Sequence, residues 1–270
     1  MPQRRNCRCE VITLAVLKVE NLNKNYGEKA ALKGVSFSLA PGIYGLLGPN
    51  GSGKSTLMNI LTGNLKATSG RVLWEGKETA SMGKTYRALL GYVPQQQALY
   101  PDFTAIRFLA YMAALQGMAP DRARERIAGV LEAVGLTSVA RKKVKTFSGG
   151  MKQRLLIAQS ILADPKLLIM DEPSAGLDPK QRVLLRHLIS HIAEEDKIVL
   201  IATHVVSDVE SIAQEFLLLK EGELIRKGGK ETLADEVAGH NGRGQDHAPI
   251  TMEEVYLYHF GGQDENADWI

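Results

Sequence analysis

The chain has 270 residues, 44% hydrophobic and 23% charged. At roughly 100–200 residues per domain it holds one large domain or two lobes around a substantial core, which excludes disorder over the whole chain. Its 33 Lys and Arg against 30 Asp and Glu leave a net charge of +3, too weak a surplus to argue for nucleic acid. The two cysteines, Cys7 and Cys9, give no disulfide framework and suit a reducing compartment. A C-x-C pair can hold a soft metal, but no further ligand stands near it, and a loose N-terminal arm over 1–15 is the plainer reading.

Arg4, Arg5 and Arg8 followed by the apolar stretch 11–17 superficially resemble an export leader. The stretch is short, has no small-residue cleavage site, and runs straight into Lys18 and Glu20. No segment reaches the ~18 continuous apolar residues of a membrane span, so any membrane role is expected to pass through a partner. Residues 16–19 read as a short strand, 34–39 as an alternating one, and 43–47 as an apolar run entering a glycine-rich loop. A helix is expected from about Gly53 to Gly63, then strands over 71–74 and 89–93. The pattern turns helical from Thr104 to Val134, in two helices. Further helices are predicted over 151–162, 180–193 and 205–213, with buried strands at 167–170 and 198–202 between them. This βαβα alternation predicts an α/β core. A hairpin follows at 216–219 and 223–225, then a glycine-rich linker over 238–249 and a last helix over 251–260.

Residues 48–55 read G-P-N-G-S-G-K-S and match the phosphate-binding loop G-x(4)-G-K-[ST], placed between a strand and a helix as that loop requires. Its glycines (Gly48, Gly51, Gly53), with Pro49, Asn50 and Ser52, let backbone N–H groups close around phosphate at a helix N-terminus. Lys54 is expected to reach the β- and γ-phosphates of a bound nucleotide, Ser55 to ligate Mg²⁺, and Thr56 to add a phosphate contact. The strand 167–170 ends in Asp171 and Glu172. Asp171 suits a carboxylate that holds Mg²⁺ through water, and Glu172 a general base that polarises the attacking water. Together these motifs specify a nucleoside triphosphatase. Ser148, Gly149 and Gly150 open a helix and form a second anion site far along the chain. Gln95 ends the segment Tyr92-Val93-Pro94-Gln95, and His204 follows the strand 198–202.

Loop, Gln, S-G-G signature, D-E pair, S-A-G-L-D and His, in that order, resemble the ATP-binding cassette (ABC) ATPases over about residues 16–228. The resemblance implies a P-loop (RecA-like) core with an N-terminal antiparallel β lobe and an inserted helical lobe near 96–150, followed by a C-terminal extension over 229–270. By it, Gln95 touches Mg²⁺ and the attacking water and senses a membrane partner. Ser148 and Gly150 contact the γ-phosphate of ATP held by the opposite subunit, and residues 174–178 cross the dimer interface. His204 orients Glu172, water and γ-phosphate, and Tyr26 takes the place of the aromatic that stacks on adenine. The implied protein is an ATP-hydrolysing subunit on the cytoplasmic face of a membrane, paired with a second ATP-binding subunit and driving a separate transmembrane permease. The alternative is a soluble ABC ATPase acting on ribosomes, DNA or cluster assembly. DNA-repair relatives insert coiled coils and translation relatives carry two cassettes, and neither feature is present in this sequence.

The signature departs from the common L-S-G-G-Q at Phe147 and Met151, and F-S-G-G-M-K-Q-R-L looks like bacterial antibiotic and multidrug exporters. No N-K-x-D guanine motif is present. Arg141, Lys142, Lys143 and Lys145 read as a solvated face, with anionic lipid headgroups the other option. Residues 100–103 lie where ABC ATPases receive the permease. His187 and His191, one turn apart, read as a solvated helix face rather than a metal pair.

Overall fold

Leu17, Val19 and Leu22 are buried while their neighbours face out, the alternation of a strand with one face on a core. The computed structural model, which describes residues 17–95, 99–194, 196–240 and 250–261, extends this segment into β1 (Leu17–Tyr26), antiparallel to β2 (Lys29–Leu39). Both strands outrun the expected 16–19 and 34–39. The left-handed turn at Gly27 (φ +58°) brings Asn25 opposite Ala30, so backbone pairing holds polar residues that show no apolar periodicity. Next come β3 (Gly42–Leu47), α1 (Lys54–Leu61), β4 (Ser69–Trp74), β5 (Lys77–Glu78), α2 (Thr79–Met82), α3 (Lys84–Ala88) and β6 (Leu90–Val93). Helices α4 (Ala105–Leu115), α5 (Pro120–Ala133) and α6 (Gly149–Ser160) pack on one another. The second half continues with β7 (Leu167–Asp171), α7 (Pro179–Ala193), β8 (Ile198–Thr203), β9 (Glu215–Lys220), β10 (Glu223–Gly228), α8 (Lys230–His240) and α9 (Met252–Phe260).

The strands form two sheets. One is antiparallel, in the order β2-β1-β4-β5; the other runs β10-β9-β3-β8-β7-β6, parallel from β9 to β6 with β10 as an antiparallel edge. Every residue of β3, β7 and β8 is buried, as for strands covered on both faces. Their side chains divide accordingly. Ile169, Leu200 and Ala202 join the core under the β lobe and α1, whereas Met170, Val199 and Ile201 join the core under the helices. Because β3, β8 and β7 are adjacent and parallel, the residues following their C-terminal ends meet along one edge, the usual ligand edge of such sheets.

Two expectations need correction. Residues 205–213 are not a helix: only Val206–Asp208 turns, as a 3-10 segment, followed by irregular turns. β-branched Val205, Val206 and Val209 are poor helix formers, and the Asp208 side chain is taken up by tertiary bonds rather than left to solvent. The linker over 238–249 also starts late, because α8 continues to His240; the rest of it lies outside the described residues, as do the 1–15 arm, Cys7 and Cys9. The final helix begins where the sequence suggests. Thr251 and Glu254 form a reciprocal capping box at the start of α9.

Helix α9 docks through fully buried Met252 and Val255 onto α8 and the 206–208 turn. The Lys220 ammonium donates to His259 O at 2.9 Å at its far end. Met252→Ala should cost about 2–5 kcal/mol in urea denaturation, since the side chain is fully enclosed. A loss below about 1 kcal/mol would mean that α9 is not held there.

Candidate functional site

A cleft of about 590 Å³ opens at the edge where β3 and β7 end, bounded by the phosphate-type loop, β1–β2 and the end of β6. Leaving fully buried Leu47, the chain turns through Gly48, where an added Cβ would sit 2.2 Å from Leu219 O, so a side chain would displace β9. Gly51 (φ +82°) and Gly53 (φ +108°) take left-handed conformations that shape the rest of the loop. The loop is pinned from behind: Gly222 N donates to Ser52 O at 2.9 Å, and Ser52 N to Pro49 O at 3.2 Å. Gly53 is the N-cap of α1 and offers no side-chain cap, so the amides of the first turn remain for an anion, favoured by the helix dipole. Lys54 lies beneath the loop, 7% exposed, its ammonium donating to Gly48 O at 2.6 Å and Pro49 O at 3.1 Å. Burial lowers its pKa, while the charges of Glu172 and Asp171 oppose that fall.

Asp171 and Glu172 follow from β7 onto the cleft floor, both under 10% exposed. Burial raises the Asp171 pKa, and the neighbouring Glu172 charge raises it further; Lys54 and a hydrogen bond from Ser55 work the other way. Glu172 has left-handed backbone (φ +48°), and its N–H donates to Ala202 O at 2.9 Å. Both carboxylate oxygens are engaged by the residues that end β8. Thr203 Oγ1 donates to Oε2 at 3.1 Å, the His204 amide donates to Oε1 at 3.1 Å, and His204 Nδ1 lies 2.7 Å from Oε1. A carboxylate with both oxygens held has one orientation available, which is what a positioned base requires.

The hydroxyl of Ser55 and the carboxylate of Asp171 sit in contact, with exposed Gln95 lining the same cleft. This is an all-oxygen donor set beside two buried carboxylates and one buried ammonium, Lys54, which fits a hard divalent cation such as Mg²⁺. Thr56, Asn50 and half-exposed Tyr26 line the cleft too, with the Lys24 ammonium 5.2 Å from the Tyr26 ring centroid. The fold therefore brings together Tyr26, the 48–56 loop, Gln95, Asp171, Glu172 and, through Glu172, His204.

Ser148, Gly149 and Gly150 do not join that cleft. They open α6 elsewhere on the surface: Ser148 caps the helix through Met151 N at 3.3 Å, and Ser148 and Gly149 are exposed. Gly150 is buried against the tip of the Gln181 side chain, which a Cβ there would meet at 2.7 Å and push aside. The 174–178 segment leads from Glu172 to Asp178, which caps α7 through Gln181 N at 2.8 Å. Sequence reading missed Thr203, Asp208 and Arg182. Thr203 stands beside His204 and could have been found from its place at the end of the strand; Asp208 and Arg182 belong to no local pattern. Among the motifs set aside, His191 pairs with Glu194 at 3.4 Å, and Lys143 and Lys145 pair with Asp102 at 3.5 and 3.0 Å.

Because folding raises the Asp171 pKa, the ionised form costs stability above that pKa and the protonated form does not. Asp171→Asn should raise the melting temperature of the nucleotide-free protein by a few degrees at neutral pH. The gain should shrink as the pH falls toward the ordinary carboxylate range. Melting curves across pH check this, and a variant less stable at neutral pH would contradict it.

The ABC transporter family profile matches residues 32–175, more than half of the chain. The chain is 39% identical over 229 residues to the linearmycin resistance ATP-binding protein LnrL of Bacillus subtilis (strain 168), covering 83% of this chain and 72% of that protein. It is 37% identical over 224 residues to the lantibiotic transport ATP-binding protein SrtF of Streptococcus pyogenes, covering 82% and 95%. Among solved structures it is similar to a bacterial ABC transporter cassette solved as a dimer, with a TM-score of 0.70, 30% identity and coverage of 79% and 98%. That cassette has also been solved in a post-hydrolysis state bound to ADP and Pi. With the phosphate loop, paired carboxylates and S-G-G helix in place, the chain belongs to the ABC transporter family and is one of its ATP-binding, ATP-hydrolysing proteins.

Proposed function

We propose that this chain powers export of a substrate through a separate transmembrane permease, from the cytoplasmic face of the membrane. In this reading Glu172 is the general base: it takes a proton as water attacks the γ-phosphorus and the bond to the β–γ bridging oxygen breaks. The observation that carries the reading is Glu172 itself, buried at the cleft floor with Thr203 and His204 holding its two oxygens. His204 orients Glu172 through Nδ1, leaving Nε2 to meet the γ-phosphate. Lys54 and the loop amides bind the β- and γ-phosphates, and Tyr26 stacks on adenine. Ser55, Asp171 and Gln95 hold Mg²⁺, which neutralises phosphate charge when bound.

The exposed Ser148 and Gly149 at the start of α6, away from their own cleft, support a head-to-tail pair in which each signature meets the nucleotide of the partner subunit. The dimeric cassette among the structural relatives supports the same arrangement. The permease is proposed to seat on the aromatic group that follows Gln95. Tyr100 stacks on Phe103 at 5.0 Å and meets Tyr111 edge-on at 5.6 Å, and Tyr100 and Tyr111 remain more than 40% exposed. No helix among the described residues is long and apolar enough to cross a membrane, so the span belongs to the permease in this reading. The resistance and lantibiotic-transport roles in the names of relatives favour export. The proposed organisation is a 1–15 arm, an ATPase domain over 16–228 with its helical lobe near 96–150, and an extension over 229–270.

Glu172→Gln should keep ATP affinity while lowering turnover at least about a hundredfold, the contribution expected of a general base. Unchanged turnover would remove Glu172 from that role. Purified from native membranes in mild detergent, the chain should bring down a polytopic membrane protein at near-equal stoichiometry. Recovery on ribosomes or nucleic acid instead would overturn the assignment to transport and leave the hydrolytic site intact.

A further inference from the structure

We propose that Asp208 is a positioning residue for ATP hydrolysis, tying the 174–178 loop to the segment that carries His204. The inference rests on the roles given to Glu172 and His204 under the proposed function. Asp208 and Ser174 are both buried, at 7% and 3% exposure, and the Ser174 hydroxyl donates to Asp208 Oδ2. The other oxygen, Oδ1, faces Arg182 Nη1 at 3.4 Å, and Nε of the same guanidinium donates to Leu177 O at 3.2 Å. Arg186, one turn along α7, donates to Ser207 O at 3.1 Å. The 174–178 loop and the segment after His204 are thus cross-linked by a buried charge-assisted network.

The geometry places that cross-link within a few residues of both reacting groups. Ser174 lies two residues after Glu172, whose carbonyl accepts from Ala175 N at 3.1 Å. Asp208 lies four residues after His204. Helix α9 braces the arrangement from behind, with Met252 N donating to Glu210 Oε1 at 3.3 Å and Glu210 paired with Lys230 at 2.8 Å. A displacement of the 174–178 loop, as when a second subunit meets it, must therefore move Asp208 and with it the backbone leading to His204. The Glu172–His204 contact of 2.7 Å is short enough for a small shift to matter.

Asp208→Asn keeps the volume and removes the charge. In the purified full chain it should lower kcat about tenfold or more while leaving the KM for ATP within about twofold, because misplacement near the reacting groups costs turnover rather than nucleotide affinity. Ser174→Ala should do the same, and the double variant should fall no further than the worse single, since both break one link. Wild-type kcat in Asp208→Asn, losses that multiply in the double variant, or a KM that climbs in step with the lost kcat would each overturn the proposal. Should Asp208→Asn fail to fold, Ser174→Ala alone decides, and full turnover in it overturns the link. Glu172→Gln assayed alongside separates the two levels. Inactive Glu172→Gln with fully active Asp208→Asn removes only the Asp208 inference, whereas active Glu172→Gln removes the general-base reading beneath it.

Discussion

One ammonium and two carboxylates share a floor that water barely reaches, and most of the local architecture answers to that constraint. Lys54, Asp171 and Glu172 are each less than 10% exposed. Charges so placed persist only when paired and hydrogen-bonded. Each is satisfied by a different element: Lys54 by carbonyls of its own loop, Asp171 by the Ser55 hydroxyl, and Glu172 by the end of β8. The strand order makes this possible. With β8 between β3 and β7, Thr203 and His204 emerge between the loop and the carboxylates, within reach of both oxygens of Glu172. The net negative charge left on the floor is what suits it to a cation and a polyphosphate together.

The same logic explains which parts of the molecule were legible from residue order. The phosphate loop and the D-E pair are contiguous, and their chemistry depends on neighbours within a few positions, so spacing alone reveals them. The β7 and β8 runs are equally readable because burial on both faces demands uninterrupted apolar residues. Thr203, Asp208 and Arg182 were not, because their partners lie 31, 34 and 26 residues away and meet them only through the sheet order and the packing of α7. The 205–213 segment has an apolar pattern compatible with a helix, yet tertiary bonds at Asp208 and Glu210 hold it in turns. The long β1–β2 hairpin fails in the opposite way, since its polar middle is held by backbone pairing that leaves no mark in hydropathy.

Helix α9 joins these two levels. Locally it is self-sufficient, with a capping box at Thr251 and an apolar face. Its place in the molecule, however, is fixed by the irregular 204–210 stretch, which periodicity misread. Helix α9 thus lies against the His204-bearing side of the α/β core, not at a remote surface.

Ser148 and Gly149 of the S-G-G helix start face solvent, away from the cleft of their own chain. In the proposed head-to-tail pair, every nucleotide is enclosed by parts drawn from two polypeptides. A defect in the loop and a defect in the signature would then complement each other: chains carrying one or the other, each inert alone, would form one whole compartment and one doubly damaged one when mixed. Subunits altered in both features could not be rescued in this way, so subunit exchange would distinguish lesions that look identical in isolated preparations.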